Sequence, residues 1–142
     1  MIQFMNYIDF NGNELAAVEF YTDVFKLEKP KMFLYKDVPT HSPTTPATEN
    51  LIAHANLKIG DYTLMFSDTP PGKPIKIGEN ITLFVQFDNL DEQRAIYERL
   101  SVNARVIIPL SETYWSKSYT YLIDQFEIGW QLDVVALEVI HE

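Results

Sequence analysis

Residues 7–25, YIDFNGNELAAVEFYTDVF, contain the change of period that decides the fold. Phe4 to Phe10 is a short apolar strand, and Asn11, Gly12 and Asn13 form a turn and cap cluster. Ala17, Phe20, Tyr21, Val24 and Leu27 then recur at steps of three and four, which puts them on one face of a helix. The same succession returns at 81–100. Ile81, Leu83, Val85 and Phe87 alternate with Thr82, Phe84 and Gln86, and a second helix capped at 89–91 carries Ile96, Tyr97 and Leu100. Residues 2–68 as a whole read as strand, helix and three strands, and residues 81–136 read the same way again. The expected fold class is α+β, with two tandem βαβββ modules forming curved mixed sheets around a cleft, and the cleft is where function should sit.

The 142 residues, 46% of them hydrophobic, suit one domain with a sizeable core. Module one is expected over about 1–68, a linker over about 69–80, where Pro70, Pro71, Gly72, Pro74 and Gly78 cluster, and module two over about 81–137. A formal charge of −9, with eleven Lys and Arg residues scattered and no basic stripe, excludes nucleic acid and acidic lipid surfaces as partners. Without cysteine there is no disulfide framework, thiol nucleophile or thiolate metal site, which suits a reducing cytoplasm. No apolar run approaches the roughly 20 residues that span a bilayer, and a start carrying Asn6 and Asp9 is no signal peptide. A cytoplasmic location is expected.

Residues 51–68 read as a hairpin turning at Gly60 and Asp61, which sets Asn56 opposite Met65 and His54 opposite Ser67. Ala55, Leu57, Ile59, Leu64 and Phe66 form an apolar face. Ile52, His54, Asn56, Thr63, Met65 and Ser67 form a mixed face of the kind that walls a small-molecule cavity. Further strands are expected at 32–35, 105–110, about 118–123, and 128–135, where Trp130, Leu132 and Val134 alternate with Gln131 and Asp133. Residues 38–49, with three prolines and four threonines, read as a polar loop that is either a lid or an irregular excursion.

His54 is the one histidine inside an expected strand, since His41 lies in the loop and His141 in the tail. It is either a general base or ligand contact in the cleft, or a structural histidine bonded to a neighbour such as Ser67. Tyr114, Trp115, Tyr119 and Tyr121 make an aromatic segment that either stacks on a ligand or packs at an interface. Asp124 and Glu127 read as a solvated turn rather than an acid–base pair. The chain has no GxGxxG, phosphate loop, HExxH or glycine-flanked nucleophile, so nucleotide, zinc-protease and triad chemistry have nothing to stand on.

The strings at 7–13, AVEFYTDVF at 17–25, HANLKIGD at 54–61 and LMFSD at 64–68 resemble the PhnB-like branch of the glyoxalase, bleomycin-resistance and extradiol dioxygenase superfamily. Pro109-Leu110, Trp115 and Asp124-Gln125-Phe126 leading to Trp130-Gln131-Leu132 agree, while Glu127 stands where relatives place a glycine. The resemblance implies eight strands in two modules, the glyoxalase/bleomycin resistance fold, and a homodimer; pairing of modules would also cover exposed sheet edges. It places the metal ligands of enzymatic members on Asn6, near Met65, on Thr82 and on Gln131. An amide, a thioether, a hydroxyl and a second amide supply neither charge nor strong basicity to a zinc, nickel, manganese or iron ion. No metal and no cofactor are therefore expected.

The expected function is the binding of a small organic molecule without chemistry, at a site lined by Asn6, His54, Asn56, Met65, Thr82, Phe84, Trp115 and Gln131. The alternative is a metal-dependent enzyme of glyoxalase or dioxygenase type with His54 as its candidate catalytic residue. A scaffold with a cleft filled by its own side chains is a third possibility.

Overall fold

The computed structural model describes residues 1–38, 45–70 and 72–135. The chain divides into two compact units, residues 1–76 and 77–142. Among the described residues the first holds β1 (Asn6–Phe10), α1 (Glu14–Val24), β2 (Met32–Leu34), β3 (Ile52–Ile59) and β4 (Tyr62–Asp68), with a 3-10 turn at Tyr35–Asp37. The second holds β5 (Leu83–Phe87), α2 (Leu90–Leu100), β6 (Arg105–Ser111), β7 (Ser116–Ile123) and β8 (Gly129–Val135). Each unit is a four-stranded mixed sheet, ordered β1-β4-β3-β2 or β5-β8-β7-β6, whose first and last strands pair in parallel. The repeat read from the sequence is thus a repeat of strand order and of strand direction.

The hairpin forms as the alternation requires. Asn56 pairs with Met65 and Leu57 with Leu64, and Gly60, at φ +59, takes the left-handed conformation the two-residue turn needs. Ala55, Leu57, Leu64 and Phe66 lie buried with Ala17, Val18, Tyr21 and Val24 of α1, and the rings of Tyr21 and Phe66 stack with centroids 6.1 Å apart. Each such large side chain removed from water contributes about 2 kcal/mol. Ile52 departs from the mixed face expected for it and is 1% exposed. The register against β2 shifts between Phe33, opposite His54, and Leu34, opposite Ile52, so the extra residue, Ala53, turns Ile52 over into the core.

The start of α1 is fastened from outside the helix. Asn13 makes no side-chain cap; instead Asp68 at the end of β4 accepts from the Glu14 amide at 2.9 Å and, through its other oxygen, from the Ile52 amide at 3.0 Å. Asn11 accepts from the Ile75 amide at 2.9 Å and the Thr69 amide donates to Phe10 at 2.7 Å, so the first part of the expected linker is tied to the first unit. Helix α2 has the side-chain cap that α1 lacks, with Asn89 accepting from the Glu92 amide at 2.9 Å. Buried Gln93 then donates to the carbonyls of Ser118 (2.9 Å) and Leu132 (3.2 Å), joining α2 to β7 and β8. Residues 39–44 of the loop, His41 and His141 lie outside the described residues. The base of that loop is held by bonds from Tyr35 to Leu51 and from Lys36 to Glu49.

In the last turn Glu127 is exposed as expected, while Asp124 is not. Asp124 is 2% exposed and accepts from the amides of Phe126 (2.8 Å) and Ile128 (3.1 Å) and from the Trp130 indole (2.8 Å). Glu127 completes the turn at φ 66, the left-handed region that glycine adopts without strain, and pairs with Arg105 at 3.2 Å. Asp124→Ala strands three donors in a dry site, and equilibrium denaturation should show a loss of about 3–4 kcal/mol.

Glu14 is fully buried and neither of its oxygens has a hydrogen-bond partner. Burial first, then the charges of Asp68 and Asp9, push its carboxyl up to about 9 from an ordinary 4.5. The native state therefore keeps a proton that the unfolded chain gives up, and stability from this group is full below about 4.5 and drains away as pH rises toward about 9. Glu14→Gln removes that titration. The variant should gain on the wild type across this range, by at most about 1.4 kcal/mol per pH unit, and a stability difference that stays flat with pH would contradict the assignment.

Candidate functional site

Each helix covers one face of its sheet, and register decides which side chains lie on the other. In the first unit Tyr7 pairs with Met65 and Asp9 with Ser67, while Asn56 sits opposite Met65 on the next strand. With His54 two residues along β3, these side chains share the face away from α1. The Tyr7 and His54 rings lie 6.1 Å apart at 36°, and the Ser67 hydroxyl donates to Asp9 at 2.9 Å rather than engaging His54.

Asn6 lies on the other side of this sheet. It pairs with Leu64, next to Ile8 and Phe66, and its carboxamide oxygen accepts from the Tyr62 hydroxyl. Comparing the two parallel ladders gives the reason. Asn6 opposite Leu64 matches Leu83 opposite Trp130, so the residue equivalent to Thr82 is Met5, one position earlier than the resemblance implies. His54, Asn56 and Met65 are brought together; Asn6 is not among them.

In the second unit three of the expected residues meet. Phe84 pairs with Gln131, which pairs with Tyr121, and in the next row Gln86, Asp133 and Tyr119 stand side by side. Thr82, one step before β5, is on the same face. Gly129 makes that approach possible, since a Cβ there would come within 3.0 Å of the Thr82 methyl. A chain of hydrogen bonds runs along the face: Tyr119 Oη donates to Gln131 Oε1 at 2.6 Å, and Gln131 Nε2 donates to Thr82 Oγ1 at 2.8 Å. Burial first, then Tyr121 and Asp133, raise the Tyr119 hydroxyl above its usual range, which keeps it a donor. Trp115 meets Tyr119 edge-on at 5.7 Å and carries Tyr114 at 4.8 Å. This places Trp115 beside the polar chain. Two hollows in the first unit lie off these faces, one of about 490 Å³ along α1 by Val18 and Leu27, the other of about 350 Å³ by Gly12 and Pro74.

Tyr7, Asp9, Gln86 and Asp133 went unnamed as site residues in the sequence reading. Period-two alternation from Phe84 and Gln131 reaches Gln86 and Asp133, and the same step from Met65 and its partner strand reaches Tyr7 and Asp9.

Two βαβββ units, each with a parallel outer pair and one face clear of its helix, define an α+β protein of the glyoxalase/bleomycin resistance fold. Residues 6–132 match the family model for the Glyoxalase/Bleomycin resistance protein/Dioxygenase superfamily, and the chain belongs to that superfamily. It is 25% identical over 138 residues to Protein YjdN of Escherichia coli (strain K12), covering 91% of this chain and 92% of that protein. Protein PA1353 from Pseudomonas aeruginosa superposes with a TM-score of 0.84 at 26% identity, covering 95% of this chain and 98% of the other. The PhnB protein from Bacillus cereus has the same fold, with a TM-score of 0.74, 19% identity and coverage of 94% of this chain and 100% of the other.

The residues present do not fit the metal used by enzymes of this fold. Asn6 and Met65 are on opposite faces of one sheet, and Thr82 and Gln131 spend their polar atoms on each other and on Tyr119. Among the described residues no group of three or more His, Cys, Asp or Glu side chains stands close enough to hold an ion. No helix among them is long and apolar enough to cross a membrane.

Proposed function

We propose that this chain binds a small organic molecule on the open faces of its modules and carries no catalytic metal. The observation that supports this best is the closed chain Tyr119–Gln131–Thr82, flanked by Phe84 and Trp115. Its polar atoms are held by neutral partners where a metalloenzyme needs free imidazole or carboxylate. The aromatic rings beside it offer the apolar area that a ligand site needs, with the fixed polar groups available for orientation. His54, Asn56 and Met65 give the first module a comparable mixed face.

Metal content separates this reading from an enzyme of glyoxalase or dioxygenase type. Protein purified without chelator should hold no stoichiometric zinc, nickel, manganese or iron, and adding those ions should leave its melting temperature unchanged, since only a ligand of the native state raises it. Stoichiometric metal that disappears in His54→Ala would establish the enzyme reading instead.

The proposal includes a cytoplasmic homodimer. Strand β6 is an edge, and Val106, Ile107 and Ile108 on it are 38%, 48% and 39% exposed, an apolar edge that self-association would cover. Sedimentation should give a species near twice 16.5 kDa, and a single species at the 16.5 kDa of one chain would contradict it.

A further inference from the structure

We infer that the open face of the second module takes an organic amine, its flat apolar body against Phe84, Trp115 and Tyr119 and its ammonium nitrogen donating to the Asp133 carboxylate. The inference rests on the small-molecule reading above and names the ligand's class. Tyr119, Gln131 and Thr82 already hydrogen-bond to one another. Asp133 differs. It is 3% exposed, and its Oδ1 has no hydrogen-bond partner among the described residues, so an acceptor that is costly to leave idle stands in the middle of this face.

The other oxygen, Oδ2, accepts only from Gln86 Nε2, at 3.2 Å, the long end of the hydrogen-bond range. The Gln86 side chain is exposed and neutral, and can swing aside. A cation taking its place exchanges a neutral amide bond for a charge-assisted one, which is about twice as strong. The rings of Tyr119, Trp115 and Phe84 add cation–π attraction to the same charge. An anion there would meet Asp133 as a like charge. The first module does not offer the same opening, because Asp9, in the matching row, already accepts from the Ser67 hydroxyl at 2.9 Å and is exposed to water. The net charge of −9 draws any cation toward the surface but selects no site, so dependence on Asp133 is the discriminating property.

Tryptamine, tryptophol and indole-3-acetate, which differ in the charge of one substituent, serve as probes titrated into the full chain and followed by two-dimensional NMR. Tryptamine should bind tightest and shift the signals of Phe84, Trp115 and Tyr119. Asp133→Asn should weaken tryptamine about tenfold or more while leaving tryptophol unchanged. Gln86→Ala, which removes an exposed side chain and leaves the core intact, should tighten tryptamine, and it carries the test if Asp133→Asn fails to fold by circular dichroism. Equal binding of the three probes, or tryptamine binding indifferent to both substitutions, overturns the amine assignment and leaves the small-molecule reading standing. If none of the three moves the Phe84, Trp115 or Tyr119 signals, both fall for this face.

Discussion

The parallel pairing of the first and last strand in each unit is the constraint from which the rest follows. For the last strand to lie parallel beside the first, the chain leaves the first strand through a helix, crosses the sheet to its opposite edge and returns strand by strand, and that helix covers one face only. Residues on a single strand then have two fates. Leu83, Val85 and Phe87 run alongside Trp130, Leu132 and Val134 under α2, while Phe84 and Gln86 run alongside Gln131 and Asp133 on the other side. A shift of one residue in this register would exchange the two sets and destroy core and site together.

The two units fix that register by different chemistry. In the first, one carboxylate does it: Asp68 at the end of β4 holds the first amide of α1 and the first amide of β3, so strand, helix and hairpin start from a common point. In the second, the buried Gln93 amide reaches from α2 to carbonyls of both β7 and β8, and Asp124 closes the β7–β8 turn while holding the indole of Trp130. Each join is buried and hydrogen-bonded to main chain, where a misplaced strand would leave unpaired groups in a dry interior. Specificity of register is thus enforced by polar groups, and the apolar core supplies the bulk of the stabilisation.

Periodicity made most of this architecture legible. The order of elements, the hairpin register at Asn56 and Met65, and the shared face of Thr82, Phe84 and Gln131 follow from steps of two and of three to four in the sequence. What periodicity hides is any place where one residue is added or a partner is distant in sequence. Ala53 shifts the pairing and turns Ile52 inward; the cap of α1 comes from Asp68, 54 residues downstream of Glu14; and Asn6 is one step out of phase with Thr82. Asp124 looked like an ordinary polar turn residue because the donors that bury it include the side chain of Trp130, visible only in three dimensions.

The polar side chains on the open face of the second unit belong to one self-consistent arrangement. Gln131 suits both neighbours as an amide, its oxygen taking the Tyr119 hydroxyl while its NH2 group serves Thr82. A glutamate there would keep the first bond and reverse the second, with the Thr82 hydroxyl donating to the carboxylate. It would also stand two residues from Asp133 on the same face of β8, adding a like charge beside a carboxylate that already has one idle oxygen. The Tyr119 hydroxyl, raised by burial and by Asp133, stays protonated and goes on donating. Gln131, Tyr119 and Asp133 therefore constrain one another: the amide satisfies the phenol, the phenol remains neutral beside the acid, and the acid is left as the one anionic acceptor in the row. A carboxylate oxygen with no hydrogen-bond partner among the described residues therefore stands beside a phenol and an amide that already bond each other.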